Sequence, residues 1–414
     1  MKVLHTADWH LGHTLHDQNR DVEQQIFLGW LLDILDTEAA DALLICGDIF
    51  DSANPPASAQ ALWYRFLASA RTRLPRLDII AVGGNHDSSA RLDAPHPLLD
   101  AFGIRVVGGL PRTSDGEVPW ERLAIPLTDH HGSVAAWVAA VPYLRPIDLP
   151  AAPDSPDPLI AGVGQLYADA LAAARSCCQP GQALLVTGHC YTTGGIISEL
   201  SERKILGGNQ HALPADIFPA DVTYVALGHL HLAQRVGRDD RIRYSGAPLP
   251  LSLAETSYHH QVCLVTFAGG HLDGVREIPV PRPVELLRVP TTGALPLTDL
   301  ARHLRELPLN GALPFERWPY LEVAVRLDQP EPGLRRTLDE VLNGRPVRLV
   351  KITPSYAGRE SDPYSVPVGT GLGDLTPEEV FCRRYRDSFE GDPPPDYLAA
   401  FHDLVQEAGQ GATP

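Results

Sequence analysis

The chain has 414 residues, more than one typical domain holds, so we expect two or three domains. Hydrophobic residues make up 44% and charged residues 21% of the chain, which is typical of a water-soluble globular protein. The formal net charge of −17 argues against a surface coated with basic groups for nucleic acid, although bound divalent cations or a basic partner could supply positive charge.

The six cysteines are scattered and form no CxxC pair, as expected in a reducing compartment. The opening residues, MKVLHTADWH, contain no long apolar stretch of the kind found in a signal peptide. No run of about 18 apolar residues predicts a membrane span. We therefore expect a cytoplasmic protein without a membrane-embedded segment.

The first 280 residues or so alternate between short apolar runs and amphipathic helices. The apolar residues Val3 and Leu4 predict the first strand. Later apolar runs of strand length contain or end at a glycine, which is typical of strands buried on both faces. These runs are 41–48, 77–87, 183–190 and 222–231. Helical periodicity predicts helices over 23–35 and 58–74, and the alternation of strands with helices indicates a layered α/β core.

The pattern changes near residue 282. Three strand patterns and two helix patterns follow in the order β-α-β-α-β and predict a small separate α+β domain. They are the strands 283–290, 320–328 and 346–352 and the helices 298–307 and 333–344. A polar linker rich in glycine and proline and two further helices follow, at 354–374, 376–389 and 393–409. We therefore divide the chain into 1–282, 283–356 and 357–414.

Potential metal ligands directly follow the predicted strands. They are Asp8, His10, Asp48, Asn85, His86, His189, His229 and His231. Ligands of layered α/β folds gather at the carboxyl ends of strands, so these side chains are expected in one region. A mixed set of Asp, Asn and His suits divalent transition metals, and eight such residues exceed what one ion needs. Two metal ions that share one carboxylate would account for the eight residues, and Asp48 is the expected bridging carboxylate.

Each fragment also has an ordinary structural explanation. Gly, Asn and Asp favour turns, and paired histidines are often simply buried. It is their joint occurrence, in this order, that favours a dinuclear metal centre. We interpret Cys190, which adjoins His189, as structural or as a minor metal contact. The remaining paired histidines are assigned to polar loops: His130, His131, His259 and His260.

Five short motifs carry a family resemblance. The segments DWH (8–10), GDIFD (47–51), GNHD (84–87), GH (188–189) and GHLH (228–231) resemble the motifs of the calcineurin-like binuclear metallophosphoesterases. Flanking segments such as GDIFDSANPP and YSGAPLPLS (244–252) resemble, within that superfamily, the bacterial nuclease subunits that act with an SbcC-type ATPase. Protein serine/threonine phosphatases carry an arginine in the pattern GDxVDRG, whereas this chain has GDIFDSA at that place, which argues against that branch of the superfamily. The resemblance implies a layered metallophosphoesterase β-sandwich flanked by helices, a small α+β cap domain and C-terminal helices.

The resemblance also implies a role for each candidate residue. The first metal ion would be held by Asp8, His10, Asp48 and His231, and the second by Asp48, Asn85, His189 and His229. His86 resembles the family's catalytic histidine, which would stabilise the transition state or protonate the leaving oxygen. Asp87 would either orient the ring of His86 or serve the turn.

The activity implied is a manganese-dependent DNA nuclease, an endonuclease on single strands and hairpins and a 3'–5' exonuclease on duplex ends. The resemblance implies an SbcC-type ATPase as partner, a homodimer within a heterotetramer, and action at the nucleoid in DNA repair, replication and recombination. Two alternatives stay open. One is a phosphatase or cyclic-nucleotide phosphodiesterase with the same centre, and the other is a non-enzymatic scaffold, which would require lost ligands.

Three surfaces follow from the same resemblance. The small domain would cap DNA, and its candidate phosphate contacts, which could also be ordinary solvated charges, are Arg335, Arg336, Arg345, Arg348 and Lys351. The C-terminal helices would dock on the coiled-coil base of the ATPase. The apolar anchors would be Val380, Phe381, Tyr397, Leu398, Phe401 and Leu404. The alternative is that these helices pack on their own domain. The helix 58–74 would meet residues near 92–102 in a two-fold dimer through Leu62, Trp63 and Phe66, with core packing as the competing interpretation.

Overall fold

The structure is a computed structural model of the whole chain. The residues it describes are 1–152, 155–193, 195, 212–237, 239–329, 331–356, 377–388, 392–394, 397, 398, 400–402, 404 and 405. Most of the predicted linker 354–374 and the end of the predicted helix 393–409 lie outside the described residues.

The described residues form 18 strands, of which eight overlap the predicted apolar runs and ten were not predicted. In chain order they are β1 (Lys2–Thr6), β2 (Thr14–Leu15), β3 (Gln18–Asn19), β4 (Ala42–Cys46), β5 (Asp78–Val82), β6 (Ile104–Val107), β7 (Ala124–Thr128), β8 (Val134–Ala139), β9 (Ala183–His189), β10 (Tyr224–Gly228), β11 (Gln234–Val236), β12 (Asp239–Tyr244), β13 (Gln261–Ala268), β14 (His271–Pro279), β15 (Leu286–Val289), β16 (Leu295–Pro296), β17 (Tyr320–Leu327) and β18 (Arg348–Tyr356).

The helices predicted at 23–35, 58–74, 298–307, 333–344 and 376–389 are present, and three further helices in the described part of the chain were not predicted. In chain order the α-helices are α1 (Asp21–Thr37), α2 (Ala57–Arg73), α3 (Ser89–Asp93), α4 (His96–Ala101), α5 (Pro158–Cys177), α6 (Leu297–Glu306), α7 (Leu334–Leu342) and α8 (Pro377–Ser388). Among the described residues, no helix combines the length and the apolar character needed to cross a bilayer.

The chain divides into two compact units. The first comprises Met1–His13 and Gln24–Pro281, and the second comprises Thr14–Glu23 and Arg282–Pro414. No local sequence pattern indicates that the short segment Thr14–Glu23 belongs with the later residues. A buried polar cluster links this segment to β17, because the Glu23 carboxylate accepts hydrogen bonds from Arg20 Nε at 3.0 Å and from the Tyr320 hydroxyl at 2.6 Å.

Two six-stranded sheets form the first unit. The first sheet has the order β14-β13-β1-β4-β5-β6, and the second has the order β11-β12-β10-β9-β8-β7. Strands β1, β4, β5 and β6 run parallel to one another, as do β8, β9, β10 and β12. The carboxyl ends of the central strands of each sheet therefore lie at one edge of that sheet.

Apolar layers hold these sheets together. One core cluster combines Val3 and Leu44 of the first sheet with Leu185 and Val225 of the second. The opposite face of the first sheet packs on α1 and α2, and α5 packs against β7, β8 and β9. This arrangement confirms the predicted fold class, a layered β-sandwich flanked by helices.

Helix α2 is a core helix. Leu62, Trp63 and Phe66 are only 7%, 1% and 2% exposed and pack in the same cluster as the outer face of the first sheet. The expectation that these three side chains form a dimer contact was therefore wrong, and the competing interpretation of core packing holds for them. Helical spacing alone could not distinguish the two, because both place apolar residues on one stripe.

The second unit is built around β17. This strand pairs in parallel with β15, β16 and β18, and α6 and α7 share its core. The predicted face of β17, with Leu321, Val323 and Val325, lies in that core. The opposite face of the strand is buried as well, since Glu322 is only 6% exposed. Helix α8 also belongs to this unit, and the Phe381 ring stacks on Phe401 with centroids 4.3 Å apart.

Candidate metal centre

All eight predicted site residues lie at the carboxyl ends of five strands. They follow β1 (Asp8, His10), β4 (Asp48), β5 (Asn85, His86), β9 (His189) and β10 (His229, His231). Backbone hydrogen bonds continue the pairing of β1 with β4 beyond the strands, since the amides of Asp8 and His10 donate to the carbonyls of Gly47 and Asp48, each at 3.0 Å. The loops that carry the first ligands are thus fixed to each other.

Glycine permits the close approach of these loops. Gly47 has φ +88°, and a Cβ there would lie 2.1 Å from His189 Nδ1. A Cβ on Gly84 would lie 2.2 Å from both the amide nitrogen and Oδ1 of Asp48. Contacts this short do not occur between real atoms, so any side chain at either position would displace a predicted ligand.

The backbone of the centre is strained. Four of the seven predicted ligands have positive φ although they are not glycine: Asp8 (55°), His10 (44°), Asp48 (49°) and His229 (100°). Such a conformation costs on the order of 1–3 kcal/mol per residue and persists only where the surroundings impose it. Strain concentrated at one set of side chains is typical of a functional site.

Asp48 lies in the middle of the cluster. Its Oδ2 is 3.5 Å from His10 Nε2 and 3.3 Å from His189 Nε2, while its Oδ1 accepts a hydrogen bond from the His86 amide at 2.8 Å. One oxygen therefore faces a histidine from each predicted ligand set. This is the geometry expected of a carboxylate that bridges two cations.

His10 tests whether the residues fit a metal. Its Nδ1 donates to Asp51 Oδ1 at 3.2 Å, which leaves Nε2 as the nitrogen with a free lone pair. Nε2 is buried and has no hydrogen-bond partner among the described residues. A buried polar atom without a partner is costly, and a cation would satisfy it. The potential ligand atoms of Asp8, His10 and His231 all lie within 4.8 Å of one another.

A second cluster surrounds Asn85. The side-chain oxygen of Asn85 lies 2.9 Å from His189 Nε2 and 3.2 Å from His229 Nδ1. The other nitrogen of the His189 ring, Nδ1, donates a hydrogen bond to the carbonyl of Cys46 at 2.9 Å and so fixes the ring. Asp8, Asp48 and His189 form another group whose potential ligand atoms lie within 4.8 Å of one another. The donor atoms predicted for the second ion therefore also converge.

His86 lies beside these ligands. Its Nδ1 donates to the Asp51 carbonyl at 2.7 Å, and its ring centroid lies 4.8 Å from that of His10. The Asp87 carboxylate does not hold this ring. It accepts hydrogen bonds from the amides of Ile49, Phe50 and Gly84 at 3.1, 2.9 and 2.9 Å, so Asp87 serves the turn.

Two carboxylates behind the cluster were not identified as site residues from the sequence. Asp51 contacts His10, and its place in the GDIFD motif was the available signal. Glu255 contacts His231 Nδ1 at 2.9 Å, and nothing local marks it in the sequence. His260 was assigned to a polar loop, but it is buried and its Nδ1 donates to the Ala247 carbonyl at 2.8 Å.

The Cys190 thiol contacts a tyrosine. Its Sγ lies 3.7 Å from the Tyr167 hydroxyl, and burial raises the pKa of the thiol to about 12. A thiol that stays protonated is a poor metal ligand. This supports the structural interpretation of Cys190.

Burial and mutual attraction set the charges in the cluster. Burial opposes the ionisation of Asp48, but His189 and His86 hold the pKa of its carboxyl well below the usual range. Burial lowers the pKa of His189, but the Asp48 carboxylate overrides it and raises the pKa to about 9. Burial raises the pKa of Asp8 to about 6, although the neighbouring histidines lower it. At neutral pH the His189 imidazolium therefore balances Asp48, and a metal ion would have to displace that proton.

Comparison with known families agrees with this geometry. Residues 1–233 match the model of the family described as calcineurin-like phosphoesterase, and residues 282–389 match the type 5 capsule protein repressor C-terminal domain. The chain is 40% identical to the SbcD subunit of the nuclease SbcCD from Rhodobacter capsulatus over 390 residues, which cover 93% of this chain and 94% of that protein. The chain belongs to the SbcD family of calcineurin-like phosphoesterases.

Two further members of the SbcD family are similar to this chain at lower sequence identity. The Escherichia coli K12 protein is 32% identical over 93% of this chain and 92% of its own length. The Bacillus subtilis protein is 34% identical over 64% of this chain and 66% of its own length. Members of the phosphoesterase family use divalent metal ions, and the Asp and His groups described above could bind them.

Proposed function

We propose that this chain is the nuclease subunit of an SbcC–SbcD-type complex and that it hydrolyses DNA phosphodiester bonds with two Mn²⁺ ions. Relatives that align with nearly the whole chain are named as that subunit. The observation that carries the proposal is the position of Asp48, whose Oδ2 lies 3.5 Å from His10 Nε2 and 3.3 Å from His189 Nε2. A shared carboxylate between two histidine sets is what a dinuclear centre requires.

The ligand sets proposed from the family fit the clusters. One ion would be held by Asp8, His10, Asp48 and His231, and the other by Asp48, Asn85, His189 and His229. When bound, such ions lower the pKa of a water and offset the charge that develops on the phosphate. The protein's contribution is to hold these side chains in place before substrate arrives, through the strained backbone and the glycine contacts described above.

His86 is proposed as the residue that stabilises the transition state or protonates the leaving oxygen. Because its Nδ1 donates to the Asp51 carbonyl, the ring is fixed, and Nε2 is the nitrogen that we propose acts on the substrate. The His86 amide also donates to Asp48 Oδ1, so the backbone that carries the ring is coupled to the bridging carboxylate. A histidine held in this way can hold or transfer a proton at Nε2 without moving.

The substrate assignment rests on the resemblance and on the relatives' names. We propose single-strand and hairpin endonuclease activity and 3'–5' exonuclease activity on duplex ends, which implies action at the nucleoid in repair, replication and recombination.

The candidate phosphate contacts of the small domain differ in their exposure to solvent and in their hydrogen bonds. Arg348 is only 7% exposed and donates to the Trp318 carbonyl, so it is structural, and Arg345 donates to the carbonyls of Arg305 and Leu307. The side chains of Arg336 and Lys351 remain 86% and 44% exposed.

The C-terminal helices are proposed to dock on the coiled-coil base of an SbcC-type ATPase. Val380, Tyr397 and Leu404 are 41%, 59% and 63% exposed, so their apolar surface is available. Phe381 and Phe401 stack on each other and hold the two segments together. Apolar side chains on a helical surface are suited to a groove on a partner helix.

A two-fold homodimer is proposed as well, within a heterotetramer. With Leu62, Trp63 and Phe66 buried, the available apolar residues in this region are Tyr64 on α2, Leu98 on α4 and Phe102, which are 40%, 62% and 55% exposed. We therefore assign the contact to these residues. Replacement of Leu98 and Phe102 by glutamate should give a monomer by light scattering, whereas an unchanged mass would contradict the assignment.

The central test is cleavage of hairpin DNA with Mn²⁺, with and without the purified ATPase partner and ATP. Wild type should cleave, and Asp48→Asn should not, while Asp115→Asn, the same chemical change at an exposed loop, should behave as wild type. Small phosphodiesters and phosphomonoesters are assayed in parallel. Hydrolysis of these alone, with no cleavage of hairpins by the complex, would favour a phosphatase or cyclic-nucleotide phosphodiesterase instead.

A further inference from the structure

The segment 244–260 wraps around His231. The Ala247 amide donates to the His231 carbonyl at 3.0 Å, and the Ala247 carbonyl accepts from His260 Nδ1 at 2.8 Å. Gly246 has φ +76°, and a Cβ there would lie 2.7 Å from the His231 carbonyl oxygen. The motif YSGAPLPLS, which begins this segment, therefore contacts a predicted ligand.

Glu255 lies in this segment, and its carboxylate contacts the His231 ring. It lies in the 3₁₀ turn Leu253–Ser257 and is fully buried. Its Oε1 accepts from His231 Nδ1 at 2.9 Å, and its Oε2 accepts from the Leu251 amide at 2.8 Å. A buried carboxylate is costly unless it is paired, so the hydrogen bond to His231 is one that the fold must retain.

We propose that Glu255 is a positioning residue for His231, and this rests on the proposed metal centre. Because the carboxylate can only accept, Nδ1 of His231 must carry a proton, and Nε2 must then present its lone pair when the ring is neutral. His231 belongs to the group with Asp8 and His10 whose potential ligand atoms lie within 4.8 Å of one another. Glu255 therefore selects the tautomer that can bind the first ion.

The histidines of the two proposed ligand sets have different hydrogen-bond partners. His10 and His231 of the first set each donate Nδ1 to a carboxylate, Asp51 and Glu255. In the second set, His189 donates Nδ1 to the neutral carbonyl of Cys46. A carboxylate behind a histidine makes it a more basic ligand than a carbonyl does. The first ion should therefore bind more tightly, and Glu255 should affect this ion alone.

The decisive variant is Glu255→Gln, which keeps the size of the side chain. The Leu251 amide needs an acceptor, so the amide oxygen of the new side chain should take that place and turn its NH₂ group toward His231 Nδ1. Nδ1 would then have to accept, and the proton would move to Nε2, where it blocks metal binding. Titration with Mn²⁺ alone, followed by the electron paramagnetic resonance of free Mn²⁺, should show one ion bound about 10–100-fold more weakly and the other unchanged.

Glu322→Gln is the matched control, since Glu322 is also a buried carboxylate with a hydrogen-bonded neighbour, Thr353 Oγ1 at 3.1 Å. It should bind both ions as wild type does. If wild type binds two ions and Glu255→Gln matches it within twofold, Glu255 has no positioning role although the proposed centre stands. If wild type binds no ion, both proposals fail.

A measurement on the wild-type protein covers the case in which Glu255→Gln does not fold. Long-range ¹H–¹⁵N spectra of the metal-free protein, with the His231 signals assigned by their loss in His231→Asn, report the tautomer directly. The expected result for a neutral ring is a protonated Nδ1 and an unprotonated Nε2. A proton found on Nε2 alone would overturn the proposal.

Discussion

His5 makes the stability of the first unit depend on pH. It is fully buried on β1, with Nε2 3.1 Å from the Leu227 carbonyl and Nδ1 3.0 Å from the Tyr224 hydroxyl, both on β10. A neutral ring fits this environment, since Nε2–H can donate to the carbonyl while Nδ1 accepts from the phenol. Burial lowers the pKa of His5 to about 3.

The sign of the effect follows from proton binding. Because the folded pKa is depressed from about 6.5, the unfolded chain binds a proton between these values that the folded chain does not, so stability falls as pH falls through 6.5 toward 3. The limiting slope is about 1.4 kcal/mol per pH unit. Integrated from pH 7 to pH 5, His5 alone should remove about 2 kcal/mol of the free energy of unfolding, and this result hardly depends on the folded value as long as it lies well below 5.

The assay is urea denaturation of the full chain with a chelator present, followed by circular dichroism and tryptophan fluorescence at pH 7 and pH 5. In His5→Gln, the loss of unfolding free energy between the two pH values should be smaller than in wild type by about 2 kcal/mol. The matched control is His271→Gln, because His271 is exposed on β14, and it should retain the wild-type loss. An equal pH dependence in wild type and His5→Gln would refute the reasoning.

Three further predictions concern the centre. His86→Ala should keep the metal stoichiometry of wild type but lose cleavage by about 10²–10⁴-fold, and unchanged cleavage would exclude the proposed role. Gly84→Ala should weaken Mn²⁺ binding, because the new Cβ would lie 2.2 Å from Asp48 Oδ1, whereas Gly29→Ala, where a Cβ has open space, should bind normally and gain up to about 1 kcal/mol of stability. Mn²⁺ at 100 times the dissociation constant of each site should stabilise wild type by about 2.7 kcal/mol per bound ion, and Asp48→Asn should lose most of that gain on the same thermal melts.

The sequence was most informative where one physical rule determines the outcome. A continuous apolar run with a glycine near its end predicts a buried parallel strand and the region of its carboxyl end, so the ends of β4 and β10 were predicted within three residues. The proximity of Asp8 and Asp48 then followed from the shared edge at which the paired parallel strands β1 and β4 end. No knowledge of side-chain contacts was needed for that step.

Features that depend on distant contacts were missed. Glu255 and the ring of His231 are close only because the segment 244–260 folds back, and no local pattern records that. Thr14–Glu23 belongs with the second unit, and the hydrogen bond that links Glu23 to Tyr320 joins residues almost 300 positions apart. Alternation in β17 correctly identified its core face, but it could not show that Glu322 on the other face is buried too.

The order of strands in the first sheet also constrains how the protein is made. β1 is synthesised before both of its sheet neighbours, β4 and β13, and β13 spans Gln261–Ala268. One edge of β1 therefore exposes unpaired amide and carbonyl groups on the ribosome until some 260 more residues have emerged, which takes on the order of tens of seconds. Over that interval the nascent chain is prone to misassembly, so its soluble yield should respond to chaperone supply and to the rate of translation.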